Sequence, residues 1–165
     1  MKELINEWKK FLTEEGVVVT NSDTIAIPDP NIIQKKEPKG IDELKEYIKK
    51  MIQATGVQNI TPEFAFAVAK RESTFNPKAQ KSGHFGLFGV GLSAAIEMKY
   101  EKEFRKNPYD LNLNVTIGLK YLQYQINMLE GDNYVAKYPK LKLNTYVLAY
   151  IAYNLDRKST RLNSS

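Results

Sequence analysis

The chain has 165 residues, of which 42% are apolar, and a formal net charge of +5, with no cysteine and one histidine. One domain with a hydrophobic core is therefore expected, while a disulfide framework, a thiolate metal site and a zinc centre are excluded, and we expect neither a metal nor a cofactor. The basic residues are too few and too dispersed to predict binding to nucleic acid.

Residues 1–38 are predicted to form a separate N-terminal segment. They begin with no secretory leader, and no apolar run in the sequence could span a bilayer, so we expect a protein that is made in the cytoplasm and does not insert stably into a membrane. Apolar residues at helical spacing predict an amphipathic helix that ends at Gly16, and the turn residues within 17–27 allow a short hairpin. Prolines then place a domain boundary near residue 39. The segment could dock on the main domain, mediate assembly or belong to a longer parent protein.

Residues 39–155 are predicted to form a mostly helical main domain. Its first helix covers residues 42–55, with Leu44, Ile48 and Met51 facing inward and Gly56 at its end.

The next helix begins with strong start signals, because Thr61 can serve as the N-cap and Pro62 occupies the first helical position. Phe64, Val68 and Glu72 follow at i, i+4 and i+8 on one face. This spacing places a carboxylate beside the stripe that the helix buries, which is unusual.

Two effects are expected to raise the pKa of Glu72, namely burial beside apolar neighbours and the negative end of the helix dipole. Lys70 and Arg71 oppose them, but both point away around the helix and are expected to be solvated. A carboxyl group that is partly protonated near neutral pH suits a general acid acting on a glycosidic oxygen. The plain alternative is an ordinary solvated Glu at a helix end.

A glycine-rich loop follows the helix, with Gly83, Gly86, Gly89 and Gly91 close together. This density indicates a backbone that turns sharply or lets a ligand come close, although a plain flexible loop is the alternative. His84 lies in this loop, but no Ser or Cys partner is indicated for it, so we do not assign it as a base.

Three further helices are predicted, over residues 93–104, 111–130 and 144–154, with Asp110 capping the second. Within that second helix, Asn114 and Gly118 share a face, and the glycine is expected to allow a close helix crossing. The third is apolar nearly all round, which predicts a buried helix. It carries a row of tyrosines whose rings and phenols suit a carbohydrate, although Tyr146 is predicted to be a core residue.

Four blocks of the sequence resemble the soluble lytic transglycosylases and goose-type lysozymes. They read ESTFNPKA from Glu72, GHFGLF from Gly83, NVTIGLKYL from Asn114, and AYN over residues 152–154. The resemblance implies a lysozyme-like domain that acts on peptidoglycan glycan strands, with Glu72 as the catalytic residue. Together with the tyrosine row, it gives these candidate substrate-binding residues: Ser73, Leu87, Phe88, Gly89, Tyr121, Tyr150, Tyr153 and Asn154. For Tyr153 it implies contact with Glu72 and the sugar.

The chain departs from the family pattern in three places. Its loop after Glu72 is one residue shorter than the common form, and Gly89 stands where the family has a Gln that is expected to bind sugar. The last ten residues, DRKSTRLNSS, can be back-translated into the start of a common sequencing adapter. We therefore expect residues 156–165 to be non-native and the true chain to continue past Leu155, while a polar disordered tail is the alternative. Without these residues the net charge is +3.

The resemblance predicts cleavage between N-acetylmuramic acid and N-acetylglucosamine with formation of a 1,6-anhydro ring, Glu72 acting first as acid and then as base. A hydrolase of the goose-type lysozyme kind is the alternative. It would need a second group to activate water, for which the candidates are Glu97, Glu101 and Asp110. A non-catalytic glycan-binding or virion module is a third possibility. A bacteriophage lysis or tail-associated setting is expected, with the protein as a monomer or as part of a larger phage assembly.

Overall fold

The structure, a computed structural model, describes residues 38–131, 146–147 and 149–153. Its elements are α1 (Ile41–Thr55), α2 (Pro62–Ser73), β1 (Gln80–Lys81), β2 (His84–Phe85), β3 (Val90–Gly91), α3 (Leu92–Glu97), α4 (Glu101–Lys106) and α5 (Leu111–Gly131). Residues 146–147 and 149–153 are helical too, and we call them the C-terminal helical segment. The predicted mostly α class is confirmed. The predicted N-terminal helix and hairpin, Asn154 and residues 156–165 lie outside the described residues.

The first two helices form where their end signals predict. Helix α1 buries Leu44, Ile48 and Met51, and Gly56 ends it in the left-handed conformation with a φ of 66°. The side chain of Thr61 accepts a hydrogen bond of 3.2 Å from the backbone N–H of Phe64 at the start of α2. This is the predicted N-cap, so the residue at which α2 begins is set by a local signal.

A small antiparallel sheet occupies the region that was predicted to be a loop. Its strand order is β1-β2-β3, with Phe85 paired to Gln80 on one side and to Val90 on the other. Each strand has two residues, which is too short for an alternating pattern to be visible in the sequence. The predicted sharp turns are confirmed at Gly83, Gly86 and Gly89, whose φ angles are 77°, 72° and 57°.

The helix predicted over residues 93–104 is in fact two helices, α3 and α4. The helix is interrupted at Lys99, which adopts a left-handed φ of 66°. The backbone N–H of Tyr100 then bonds back to the carbonyl of Ala95 at 2.8 Å and closes the end of α3. A lysine takes the position that glycine normally marks, so the sequence held no signal for this break.

The hydrophobic core lies where α1 packs against both α2 and α5. Its largest fully buried side chains include Ile48, Phe64, Phe88, Ile117 and Leu122. Helix α5 begins as predicted, since the carboxylate of Asp110 accepts a hydrogen bond of 2.8 Å from the N–H of Leu113. Across the ranges described above, no helix is long and apolar enough to cross a membrane.

Candidate functional site

The carboxylate of Glu72 lies in the last turn of α2 and is partly buried. Its Oε1 accepts a hydrogen bond of 2.9 Å from the hydroxyl of Tyr150, which belongs to the C-terminal helical segment. Tyr150 is 5% exposed. A hydrogen bond from a buried phenol fixes the orientation of the carboxyl group more firmly than solvent would. The predicted acid is thus held by a side chain that lies far away in the sequence.

The backbone of Gly89 closes the other side of the carboxylate. A Cβ at this position would lie 2.7 Å from Oε2 of Glu72 and 3.3 Å from its Cβ, and Gly89 also has a φ of 57°. The space therefore excludes a side chain unless Glu72 moves, and the left-handed backbone conformation also favours glycine. The family's Gln could not stand in this arrangement without moving Glu72.

Asn114 anchors the loop that carries Gly89. Its Oδ1 accepts from the N–H of Phe88 at 3.0 Å, and its Nδ2 donates to the carbonyl of Phe85 at 2.7 Å. Asn114 is 1% exposed, and a Cβ at Gly86 would come within 2.5 Å of its Cγ. Asn114 was predicted only to share a face with Gly118, and its anchoring role was not predicted. An amide on an otherwise apolar helical face was the signal that could have revealed it.

Phe88 is held from a second side by Tyr153, whose hydroxyl donates to the Phe88 carbonyl at 2.5 Å. The ring of Phe88 packs over Gly118, where a Cβ would meet the Phe88 Cβ at 2.5 Å. The three atoms nearest to that Cβ all belong to Phe88, so the close approach that the structure shows at Gly118 is to a loop side chain. The predicted contact of Tyr153 with Glu72 and the sugar stays a prediction.

Tyrosine rings line this part of the molecule. Tyr121 lies 5.5 Å from Tyr153 and stacks on Tyr124 at 6.0 Å, and Tyr150 stacks on Tyr153 at 6.4 Å. Tyr146 packs 4.7 Å from the ring of Phe64, which agrees with its predicted place beside the core. The structure thus brings Tyr121, Tyr150 and Tyr153 together in one array, which reaches Glu72 through Tyr150 and the backbone of Phe88 through Tyr153.

Other predicted substrate-binding residues serve the protein itself in this structure. The hydroxyl of Ser73 donates to the carbonyl of Ala69 at 2.9 Å and accepts from the N–H of Asn76 at 3.1 Å. Leu87 and Phe88 are both 0% exposed, so neither side chain presents a surface to a ligand. The substrate-binding roles of Ser73, Leu87 and Phe88 stay predictions. For Leu87 and Phe88, whose side chains are buried, any such role would belong to their backbone.

The charged residues named in the sequence reading lie in ordinary surface settings. Glu101 pairs with Arg105 at 2.9 Å, Asp110 caps α5, and Glu97 is exposed. As predicted, Arg71 is exposed, whereas Lys70 is partly buried. In the described part of the chain, no three His, Cys, Asp or Glu side chains are grouped as a metal site requires.

Comparison with protein families gives one match that covers this site. A family model described as Transglycosylase SLT domain matches residues 49–162, which is more than half of the chain. The matched range contains Glu72, Gly89, Asn114 and both tyrosines that bond to the site. Comparison with curated proteins gave no match, and neither did comparison with solved structures.

Proposed function

The chain belongs to the transglycosylase SLT domain family, and from that membership we propose that it is a peptidoglycan lytic transglycosylase whose catalytic residue is Glu72. Peptidoglycan is the substrate that the family implies. The observation that supports this residue is the hydrogen bond of 2.9 Å between the hydroxyl of Tyr150 and Oε1 of Glu72. It holds a partly buried carboxylate beside a sharply turning backbone, which is a setting suited to an acid that acts in two protonation states.

In the first step, protonated Glu72 gives its proton to the oxygen that bridges N-acetylmuramic acid and N-acetylglucosamine. The bond between that oxygen and C1 of the muramic acid breaks, and both bonding electrons stay with the oxygen. The N-acetylglucosamine leaves with a free 4-hydroxyl group. Glu72 is then a carboxylate, and the positive charge that develops at C1 can be sheltered by the acetamido group of the same sugar.

In the second step, the C6 hydroxyl oxygen of the muramic acid bonds to C1 while the Glu72 carboxylate accepts its proton. The product is a 1,6-anhydro sugar, and Glu72 is protonated again and ready for the next turnover. Partial burial favours the protonated form of Glu72, which the first step needs. The hydrogen bond from Tyr150 favours the carboxylate form, which the second step needs. No water attacks, and the route therefore needs no second carboxylate.

The test is digestion of purified cell wall by the wild type and by Glu72→Gln, with mass spectrometry of the soluble products. We expect anhydro-ended fragments from the wild type and a loss of at least ~100-fold in their release from the variant. Glu63→Gln is the matched control, because Glu63 lies exposed in the first turn of the same helix. Reducing ends would instead indicate the hydrolase. Equal binding without cleavage by both proteins would indicate a glycan-binding module.

The setting of the protein is a separate part of the proposal. Action at the bacterial cell wall follows from the family, whereas a bacteriophage lysis or tail-associated role stays a prediction. The genes that neighbour the coding sequence test it, because lysis or tail genes beside it would support this setting and chromosomal wall-turnover genes would contradict it.

A further inference from the structure

Any side chain at position 89 would clash with Glu72. A Cβ there would come within 2.7 Å of Oε2, 3.4 Å of Cδ and 3.3 Å of Cβ of Glu72. The carboxylate of Glu72 therefore fills the space that a side chain at position 89 would take. In the family this chain resembles, a Gln stands at that position.

The backbones of the Gly89 loop and of α2 are both anchored on either side of this contact. The N–H of Gly89 bonds to the carbonyl of Gly86 at 3.2 Å, and the preceding residue is held by Asn114 and Tyr153. On the other side, α2 is fixed because Phe64 and Val68 are fully buried. A side chain at position 89 would thus displace the Glu72 carboxylate and break its bond to Tyr150.

We infer that Gly89 is a positioning residue for the acid: its lack of a side chain lets Glu72 reach Tyr150 and stay there. This inference rests on the proposed role of Glu72 and extends it to a position where the chain departs from its family. It also means that restoring the family residue with Gly89→Gln lowers activity, because the amide would enter the space of the carboxylate.

Backbone strain must be separated from this steric effect, and the chain offers a matched control. Gly83 has a φ of 77°, and a Cβ there would meet no atom within 4 Å. Gly83→Ala therefore reports the cost of a left-handed alanine alone, whereas Gly89→Ala reports that cost together with the conflict at Glu72.

The first experiment is a double-mutant cycle on stability, which does not depend on activity. We expect Gly89→Ala to lower the urea midpoint more than Gly83→Ala does, and we expect most of this excess to be lost in a Glu72→Ala background, which removes the carboxylate but keeps the Cβ. An equal loss in both backgrounds would overturn the inference. If Gly89→Ala does not fold, the wild type decides by NMR: a nuclear Overhauser effect between the Gly89 Hα and the Glu72 Hβ protons is expected, and its absence overturns the inference.

The second experiment measures turnover of soluble peptidoglycan fragments. For Gly89→Ala and Gly89→Gln we expect kcat to fall by at least ~10-fold while KM changes by less than ~3-fold, because the acid and not the glycan is displaced. Gly83→Ala is expected to keep the wild-type kcat. A kcat for Gly89→Ala equal to that of Gly83→Ala would overturn the inference. If Glu72→Gln retains activity, the proposed function fails, whereas the stability cycle still decides the contact.

Discussion

At the scale of single residues, the phenol of Tyr150 is the group whose removal tests the site most directly. Tyr150→Phe keeps the ring but deletes the hydrogen bond to Glu72. Hydrogen bonds to charged groups contribute ~1.5–3 kcal/mol, so we expect kcat on soluble peptidoglycan fragments to fall by ~10- to 100-fold with little change in KM. Tyr124→Phe is the control, since Tyr124 belongs to the same tyrosine array but stacks on Tyr121. Equal kcat values for the two variants would contradict the role given to Tyr150.

Tyr47 on α1 predicts a stability effect at high pH. Burial raises the pKa of Tyr47 from 10.0 to about 12, and the negative charge of Asp110 acts in the same direction. The folded state thus keeps the proton more tightly than the unfolded state does. The stability that this contributes is complete below pH 10 and is lost as the pH rises to about 12.

Urea unfolding between these pH values measures the effect. We expect the free energy of unfolding of Tyr47→Phe to fall less steeply over this range than that of the wild type. All other residues are the same in the two proteins, so the difference isolates Tyr47. Parallel curves for the two proteins would show that Tyr47 has the same pKa in the folded and unfolded states.

The residues that the sequence identified are those whose signals are local. Thr61 and Pro62 predict the start of α2. The spacing of eight residues between Phe64 and Glu72 predicts that the two lie on the same face of this helix. The partners of Glu72 could not be derived in this way. Tyr150 and Gly89 meet the carboxylate only because the chain folds back, and no short-range pattern encodes the distance between them.

At the scale of elements, Asn114 joins α5 to the loop between β2 and β3. Asn114→Ala would leave the N–H of Phe88 and the carbonyl of Phe85 without this partner inside the protein. Each buried polar group that loses its partner costs ~1–3 kcal/mol, so for these two groups we expect a loss of about 2–6 kcal/mol in the free energy of unfolding together with reduced kcat. Asn112→Ala, on the exposed face of the same helix, is expected to cost less than about 1 kcal/mol. Urea denaturation compares the two, and equal losses would argue against the anchoring role.

The elements differ in how well the sequence predicted them. The end of α1 and the start of α5 followed from the capping residues Gly56 and Asp110, and the face that α1 buries followed from the period of its apolar positions. The break between α3 and α4 did not, because Lys99 adopts the left-handed conformation that glycine usually signals. The sheet was missed as well, since its strands contain two residues each and depend on pairing with one another.

At the scale of the whole molecule, α1 supports the site without touching the proposed chemistry. It packs against α2, which carries Glu72, and against α5, which carries Asn114. Ile48 is 0% exposed in this packing. Ile48→Ala should leave a cavity and lower the free energy of unfolding by ~2–5 kcal/mol, as measured by urea denaturation.

The matched control for this core position lies on the same helix. Ile41 is 52% exposed, so Ile41→Ala is expected to change the free energy of unfolding by less than about 0.5 kcal/mol. At temperatures where Ile48→Ala is still folded, its kcat should equal that of the wild type, because the lost apolar side chain takes no part in the proposed proton transfers. A selective loss of kcat in a fully folded Ile48→Ala protein would show that α1 has a more direct part in the site.

The two hydrogen bonds to Phe88 also bear on how the proposed substrate would meet the site. The peptide N–H of this residue is bound from α5 and its carbonyl from the C-terminal helical segment, while its ring is sealed in the interior. These bonds hold the backbone next to Glu72 in place from two sides. Under the proposed function, we therefore expect a glycan strand to bind against a surface that is already formed there, without closure of this loop over the sugar.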